Sequence, residues 1–527
     1  MPHRLSLAIK LLPLLLFAGC TFTVNSQMDA PDADPGDYVC ARALRGGESR
    51  EAAEAEGLCT LRAAIMEANA TAAADRIVLP AGTYHLTLPT AEGGGRLIVS
   101  NSVHIQGAGK ETTIISQAER GRVFHITNGE VTINHVTIEG GDAQLGGGIT
   151  VDEATVEMAD VTIRDNFGYT GGGGILVTEE GEMRIYRAAV HDNSATGAFG
   201  GGIWNQGTLW VYESTISNNQ SNRAGGIRNS GNMNLRNTTV SGNTATSPQA
   251  GVGGIQNIEF AVLNNVTVTG NTGVGNNAGT FRGGGIQTTT GALTVMKNSI
   301  VAGNDGGTGP DDCVGPLTGD SKYNLIGDST GCTITSFIST YLLDVDPQLG
   351  PLADNSGPTE THNLGALSPA KESAYGFPPP AINACESHDQ RGVPRPQGTG
   401  QCDMGALEVT SATSFITGFV LVDASTDSDI RPLRHGDLLD LSTLPDQLSV
   451  RTTANGSPAS VVFDLDDMLG IQTENIAPFS LGGDASGDYA PVNFTAGEKT
   501  LRATPYANQN GAGAAGGSLK IEFTVQT

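Results

Sequence analysis

Through the middle of the chain, apolar and polar positions alternate in short runs, and one phrase of runs keeps returning. An apolar–x–apolar triplet leads into a Ser/Thr-rich stretch, then an Asn, then a glycine run that ends at an Ile. The Asn closes Val161–Asn166, Val190–Asn193, Ile216–Asn219, Val240–Asn243, Val268–Asn271 and Ile300–Asn304. The glycine runs end at Ile149, Ile175, Ile203, Ile227, Ile255 and Ile286, spaced 26, 28, 24, 28 and 31 residues apart. Period-two alternation in runs this short predicts strands rather than helices. Three short strands and three turns account for the shortest interval, so the repeat predicts a solenoid, a right-handed parallel β-helix. A left-handed β-helix prefers strict hexapeptides, and a propeller needs blades of about 40 residues, which do not recur here.

Coils stacked at about 4.8 Å turn each repeated position into a column. Ile, Val and Leu columns would fill a narrow core, and Asn columns would satisfy backbone groups at a corner through their amides. The open ends of such a stack invite edge pairing and need covers. Cys59–Asn69 has helical apolar spacing, so residues 38–72 predict an N-terminal cap with a disulfide and a short helix. The β-helix is expected over 73–305, and its C-terminal end and cap over 306–409. From 412 the glycine runs thin out. Turn-separated strands at Phe415–Val422, Leu448–Thr452, Ser460–Leu465, Lys499–Thr504 and Ser518–Val525 predict a β-sandwich over 412–527.

Composition fits this all-β reading: 72 of 527 residues are Gly, and aromatics are 5%. The 55 acidic and 29 basic residues leave a net charge of −26, which repels nucleic acid and anionic lipid. It also disfavours a long anionic glycan unless metal ions bridge the charges. Arg4 and Lys10 precede an apolar stretch over Leu11–Ala18, the pattern of an export signal too short to span a bilayer. Leu16-Phe17-Ala18-Gly19-Cys20 resembles a lipobox, which implies cleavage before Cys20 and its acylation. Thr21 after that Cys implies outer-membrane placement in a Gram-negative cell. Residues 21–37 are polar and read as a tether. Six cysteines remain: Cys40, Cys59, Cys313, Cys332, Cys385 and Cys402. An even number in an exported chain predicts disulfides, and closeness in sequence suggests 40–59, 313–332 and 385–402.

Cys59-Thr-Leu-Arg-Ala-Ala64 resembles the N-terminal CSLREA segment of bacterial β-helix proteins, with Ala63 in place of Glu. Asp346–Asn355, Asp389–Pro396 and Cys402–Glu408 resemble the choice-of-anchor Q terminal segment. Together they imply an extracellular right-handed β-helix and no defined activity. Thr473–Phe479, Gly483–Tyr489 and Ala503–Tyr506 resemble a sandwich module at the ends of bacterial secreted proteins, often beside glycan-associated domains.

Loop lengths of 8, 9, 7, 11 and 14 residues separate the Asn and Ile columns, which marks that corner as the variable, functional edge. The residue after each Ile points outward, and Trp204, Arg228, Gln256 and Gln287 in that column form a candidate sugar-binding strip. Tyr186, Trp210 and Tyr212 form a second outward set. The column before each Asn reads Asp165, Asp192, Asn218, Gly242, Gly270, Gly303. Asp165 and Asp192, flanked by Arg164 and His191, could act as a carboxylate pair of a lyase or glycosidase, or hold Ca²⁺. They could equally form the turn by bonding their own backbone. Asp423, Asp427 and Asp429 are a second Ca²⁺ candidate without a glycine-bounded loop. No cofactor motif is present. The expected function is a monomeric, lipid-anchored surface protein that binds glycans or mediates adhesion without catalysis. The alternatives are a polysaccharide lyase or glycoside hydrolase at the loop-bearing edge, and a spacer that holds the sandwich away from the membrane.

Overall fold

A computed structural model describes residues 19–41, 57–71, 73–89, 95–197, 199–247, 251–274, 283–307, 309, 311–335, 338–375, 384–395, 401–409, 414–434, 436–466, 468–485, 487–516 and 518–526. The export signal expected over 1–20 lies outside the described residues except for Gly19 and Cys20. The chain forms a right-handed parallel β-helix of about nine turns with further β-sheets at its C-terminus.

The repeat sets the register. Ile149, Ile175, Ile203, Ile227, Ile255 and Ile286 are successive parallel partners, each fully or almost fully buried. The column extends backward to Phe124 and Leu97 and forward to Cys313. Alternate residues of each strand point inward, so Met158, Ile185, Val211, Leu235, Leu263 and Met296 form another core column. The Asn column is a hydrogen-bonded ladder. Each Asn Nδ2 of 166, 193, 219, 243 and 271 donates to the Oδ1 of the next Asn at 2.9–3.0 Å. Asn304 ends the ladder on Asp312 Oδ1 at 2.8 Å. Each amide also reaches a backbone carbonyl of the preceding coil, so buried polar groups at this corner are paired throughout.

The N-terminal cover is the helix Leu61–Ala70, capped by Thr60, whose side chain accepts from Ala63 N. Leu61, Ala64, Ile65 and Ala68 pack onto the end of the solenoid core. The expected tether over 21–37 starts instead as a strand. Thr21–Thr23 pairs in parallel with Asp75–Leu79, and Phe22 and Val24 are buried in the core because one face of that first rung closes the stack. Cys40–Cys59, Cys313–Cys332 and Cys385–Cys402 are disulfide-bonded.

The C-terminal end departs from a simple cap. After the rungs Leu325–Ile326 and Leu342–Leu343, the antiparallel pair Leu349–Ala353 and Thr361–Leu364 begins a strap that returns along the flank of the solenoid. Buried Gln390 donates to Thr215 Oγ1 and accepts from Thr239 Oγ1, joining the strap to two coils. Lys110 Nζ donates to Pro358 O, far back toward the N-terminus. Within the strap, buried Arg395 pairs with Glu408 at 2.8 Å, and Arg391 with Asp389 at 2.7 Å.

The sandwich packs a three-stranded sheet (Phe415–Asp423, Ser428–Leu433, Leu448–Asn455) against a sheet containing Ser460–Leu465, Gly497–Asn508 and Leu519–Gln526. Phe419, Phe463, Leu501 and Phe523 fill the space between them. It docks on the N-terminal coils: Asp440 meets Arg76 at 3.6 Å, and His135 Nε2 hydrogen-bonds Asp437. The sandwich therefore lies beside the first coils, near Cys20. The strap and these buried polar contacts bring the two ends together.

Candidate functional site

The Asp165–Asp192 column is a turn column. Asp165, Asp192 and Asn218 have φ of 55°, 54° and 55°, and Gly242, Gly270 and Gly303 follow at 67°, 67° and 72°. Every coil needs a left-handed residue here, and Asp, Asn and Gly supply it most readily. That explains the sequence of the column without chemistry. Arg164 and His191 are register partners, as expected, but each has its own acid. Arg164 pairs with Glu139 at 2.8 Å, and His191 Nδ1 lies 2.7 Å from Asp192 Oδ2. Arg164 also approaches Asp165 at 3.8 Å, and the two aspartate side chains are 63% and 51% exposed.

The strip after the Ile column is in register but is not open along its length. Trp204 and Arg228 are neighbours. Phe199 from a corner loop lies 4.8 Å from the Trp204 ring, and the Arg228 guanidinium sits 4.1 Å from the Phe199 ring. Burial, with the charge of Arg223, pushes Arg228 down to about 10. Arg228 donates to Gln256, and Gln256 donates to Gln287 at 2.9 Å. Both glutamines are buried, at 3% and 1% exposure, and are bonded within the chain. Outward alternation put these residues on the right face but could not show that the face is covered.

The second outward set is better placed. Arg184, Trp210 and Asn234 form one column of the strands Glu182–Tyr186, Thr208–Tyr212 and Asn232–Ser241, and Tyr186, Tyr212 and Arg236 form the next. The Tyr186 and Tyr212 rings stack at 4.9 Å with 9° between planes. The Arg184 guanidinium lies 4.6 Å from the Trp210 ring, and Arg236 lies 6.0 Å from Tyr212. All of these side chains are half-buried. Burial, Glu157 and Tyr212 together push the Tyr186 phenol up to about 12, so it is a neutral hydrogen-bonding group at any physiological pH.

Beside the tyrosines the strap, the sandwich and the solenoid enclose a cavity of about 980 Å³. Tyr186 and Tyr212 line it together with Lys110, His388, Arg434 and Arg502. Glu111, Asp160, Glu213, Asp354 and Glu522 line it as well, and burial lowers the His388 pKa, so the lining carries both charges. Asp160, Arg187 and Glu213, which also line the cavity, belong to a corner column that sequence reading missed: His135, Asp160, Arg187, Glu213, Asn237, Asn265 and Asn298, all at positive φ. Arg187 pairs with Asp160 at 2.8 Å, while Asn237 and Asn265 bind the strap through His388 O and Gly405 O. Burial alone would raise the Asp437 carboxyl, but the His135 hydrogen bond and the Arg431 charge hold it well below the usual carboxylate range. The signal was a second periodic corner, hidden because its residue types vary from coil to coil.

The proposed Ca²⁺ ligands are otherwise engaged. Asp429 is bound by Arg451, Asp427 accepts from Tyr489 N at 2.9 Å, and Asp423 accepts from Ser425. Among the described residues no group of three or more His, Cys, Asp or Glu side chains is placed to hold a metal ion.

Residues 122–329 match the family model described as a right handed beta helix region. That stretch contains the Ile and Asn columns and the aromatic face. Among solved structures the chain is similar to the crystal structure of pectate lyase Pel9A, with 13% identity, a TM-score of 0.37, and coverage of 74% of this chain and 96% of that one. No curated protein matches the chain.

Proposed function

We propose that this is an exported β-helix protein, lipid-anchored at Cys20, that binds glycans through its aromatic flank without cleaving them. One observation carries the reading: stacked, half-buried Tyr186 and Tyr212 line a cavity of about 980 Å³, with Trp210 and its Arg184 in the adjoining column of the same strands. Aromatic faces pack against the C–H face of a sugar ring, and guanidiniums and phenols bond its hydroxyls. A concave site with a few convergent polar groups is the usual form of such a binding site. Against catalysis stands the turn role of Asp165 and Asp192. Cys20 runs directly into the first rung, its backbone N–H donating to Asp75 at 2.6 Å. An acyl chain there would set the first coil and the docked sandwich against the bilayer, with the loop-bearing coils extending outward.

Affinity electrophoresis through gels containing neutral and acidic polysaccharides tests this, run beside a reducing-end assay. Wild-type protein should be retarded by at least one polysaccharide, Trp210→Ala and Tyr212→Ala should run unretarded, and no ends should be released. Cleavage abolished by Asp192→Asn would replace this reading with a lyase or hydrolase.

A further inference from the structure

A second basic cluster lies on the glycine-run corner, at the N-terminal end of the solenoid. Arg96, Arg120 and Arg122 line a concavity of about 440 Å³ with Asp142, Gln144 and Tyr169. Arg96 precedes Leu97 and Arg122 lies two residues before Phe124. Leu97 and Phe124 are register partners, so the two side chains issue from adjacent coils. Burial lowers the Arg122 pKa and the neighbouring Arg96 charge lowers it further. Among the described residues neither Arg96 nor Arg122 has an ion-pair partner, and Arg96 Nε is buried with no hydrogen-bond partner. The acid that acts on Arg122, Asp152, is itself held by His125 at 2.6 Å. Arg120 approaches from the solvent side, pairing with Asp142 at 3.5 Å and donating to the Tyr169 hydroxyl with its guanidinium 5.4 Å from that ring. Phe167 packs edge-on against Tyr169 at 4.8 Å and fixes its plane.

Two half-buried guanidiniums side by side repel each other and lose hydration, a cost that a bound anion removes. Their planar forks match a carboxylate or a sulfate, and the 38% exposed Tyr169 offers a face for the ring that carries it. We infer that Arg96, Arg120, Arg122 and Tyr169 form a subsite for the anionic group of an acidic saccharide, a uronate carboxylate or a sulfate ester. The saccharide rests on the glycan-binding reading above; the anion does not. A net charge of −26 repels a long polyanion but leaves room for one acidic unit at a local cationic site.

Isothermal titration calorimetry of the full chain at low salt tests it. The probes are a uronic-acid trisaccharide, its carboxyl-reduced neutral counterpart, a sulfated oligosaccharide and inorganic sulfate. At least one acidic oligosaccharide should bind about tenfold or more tighter than the neutral one, since charge-assisted bidentate bonds are worth more than neutral ones. Which of the two does so identifies the anion. The advantage should shrink with added salt and disappear in Arg96→Gln, Arg122→Gln and Arg120→Gln. Arg120 is 76% exposed, so its loss leaves the fold intact. Tyr212→Ala should keep the acidic preference; its loss there would overturn a separate subsite and point to the flank cavity. Equal affinity for acidic and neutral sugars, a preference surviving all three arginine variants, or binding of inorganic sulfate only would each overturn the proposal.

Discussion

Asn219→Ala cuts the Asn ladder at its middle, and the structure sets the size of the effect. Asn219 Nδ2 donates to Val190 O and to Asn243 Oδ1, both at 2.9 Å. Its Oδ1 accepts from Asn193 N and Asn193 Nδ2, both at 3.0 Å. Asn219 is fully buried, so truncation removes four bonds and strands their partners away from water. At a net ~1 kcal/mol per bond, the loss is about 4 kcal/mol, and more if the stranded groups find no water. The variant should unfold at lower urea with a similar m-value, followed by circular dichroism. Because each coil mainly contacts its neighbours, amide exchange should accelerate first in coils spanning 190–243. Asn222→Ala, in an exposed loop position of the same coil, should cost within about 0.5 kcal/mol. A loss below about 1 kcal/mol for Asn219→Ala would refute the ladder as a structural element. Asn219→Asp supplies a second check: both partners of Nδ2 are acceptors, so the carboxylate should be worse than Ala at neutral pH and recover on acidification.

Burial and the neighbouring Glu67 carboxyl push the Asp32 carboxyl up to about 7, so the folded cap holds a proton that the unfolded chain releases near its ordinary value. That stabilisation is complete below the ordinary value and is lost as pH rises through about 7. Burial raises Glu213 and Glu408 to about 7 as well, so the melting temperature should fall from pH ~5 to pH ~8, and Asp32→Asn should make that fall shallower without abolishing it; an equally steep profile would contradict the assignment. His135→Ala removes the hydrogen bond to Asp437 and should loosen the docked sandwich, seen as a larger radius of gyration in small-angle scattering or a separate melting step. Replacing Cys385 and Cys402 by Ser should cost about 3 kcal/mol and free the strap, detected as new protease sensitivity over 384–409; unchanged resistance would show that Gln390 and Arg395 hold it alone.

The solenoid was legible because Ile149 to Ile286 and Asn166 to Asn304 repeat at identity, and stacking demands that repetition. The earliest coils were harder to read: Phe124 and Leu97 occupy the Ile column, and neither the Asn ladder nor the Gly-Gly-Ile ending reaches them. The strap was invisible for a different reason. Its docking residues, such as Thr215, Thr239 and Asn265, are ordinary outward residues whose partners lie more than a hundred positions away. The same limit applies to the outward columns. Alternation tells which residues leave the core, so it put Tyr186, Trp210 and Tyr212 outward as well as Gln256 and Gln287, of which the two glutamines are buried. Which of them another segment covers depends on tertiary packing alone. The tether failed because Phe22 and Val24 are two isolated apolar residues in a polar stretch, yet two suffice for one rung.

The most direct test is hydrogen exchange with and without a polysaccharide that retards the protein. Slowed exchange confined to Glu182–Tyr186, Thr208–Tyr212 and the strap residues beside the cavity is the expected result. Protection absent from those strands, or centred on the Asp165–Asp192 turns, would contradict a glycan-binding aromatic flank.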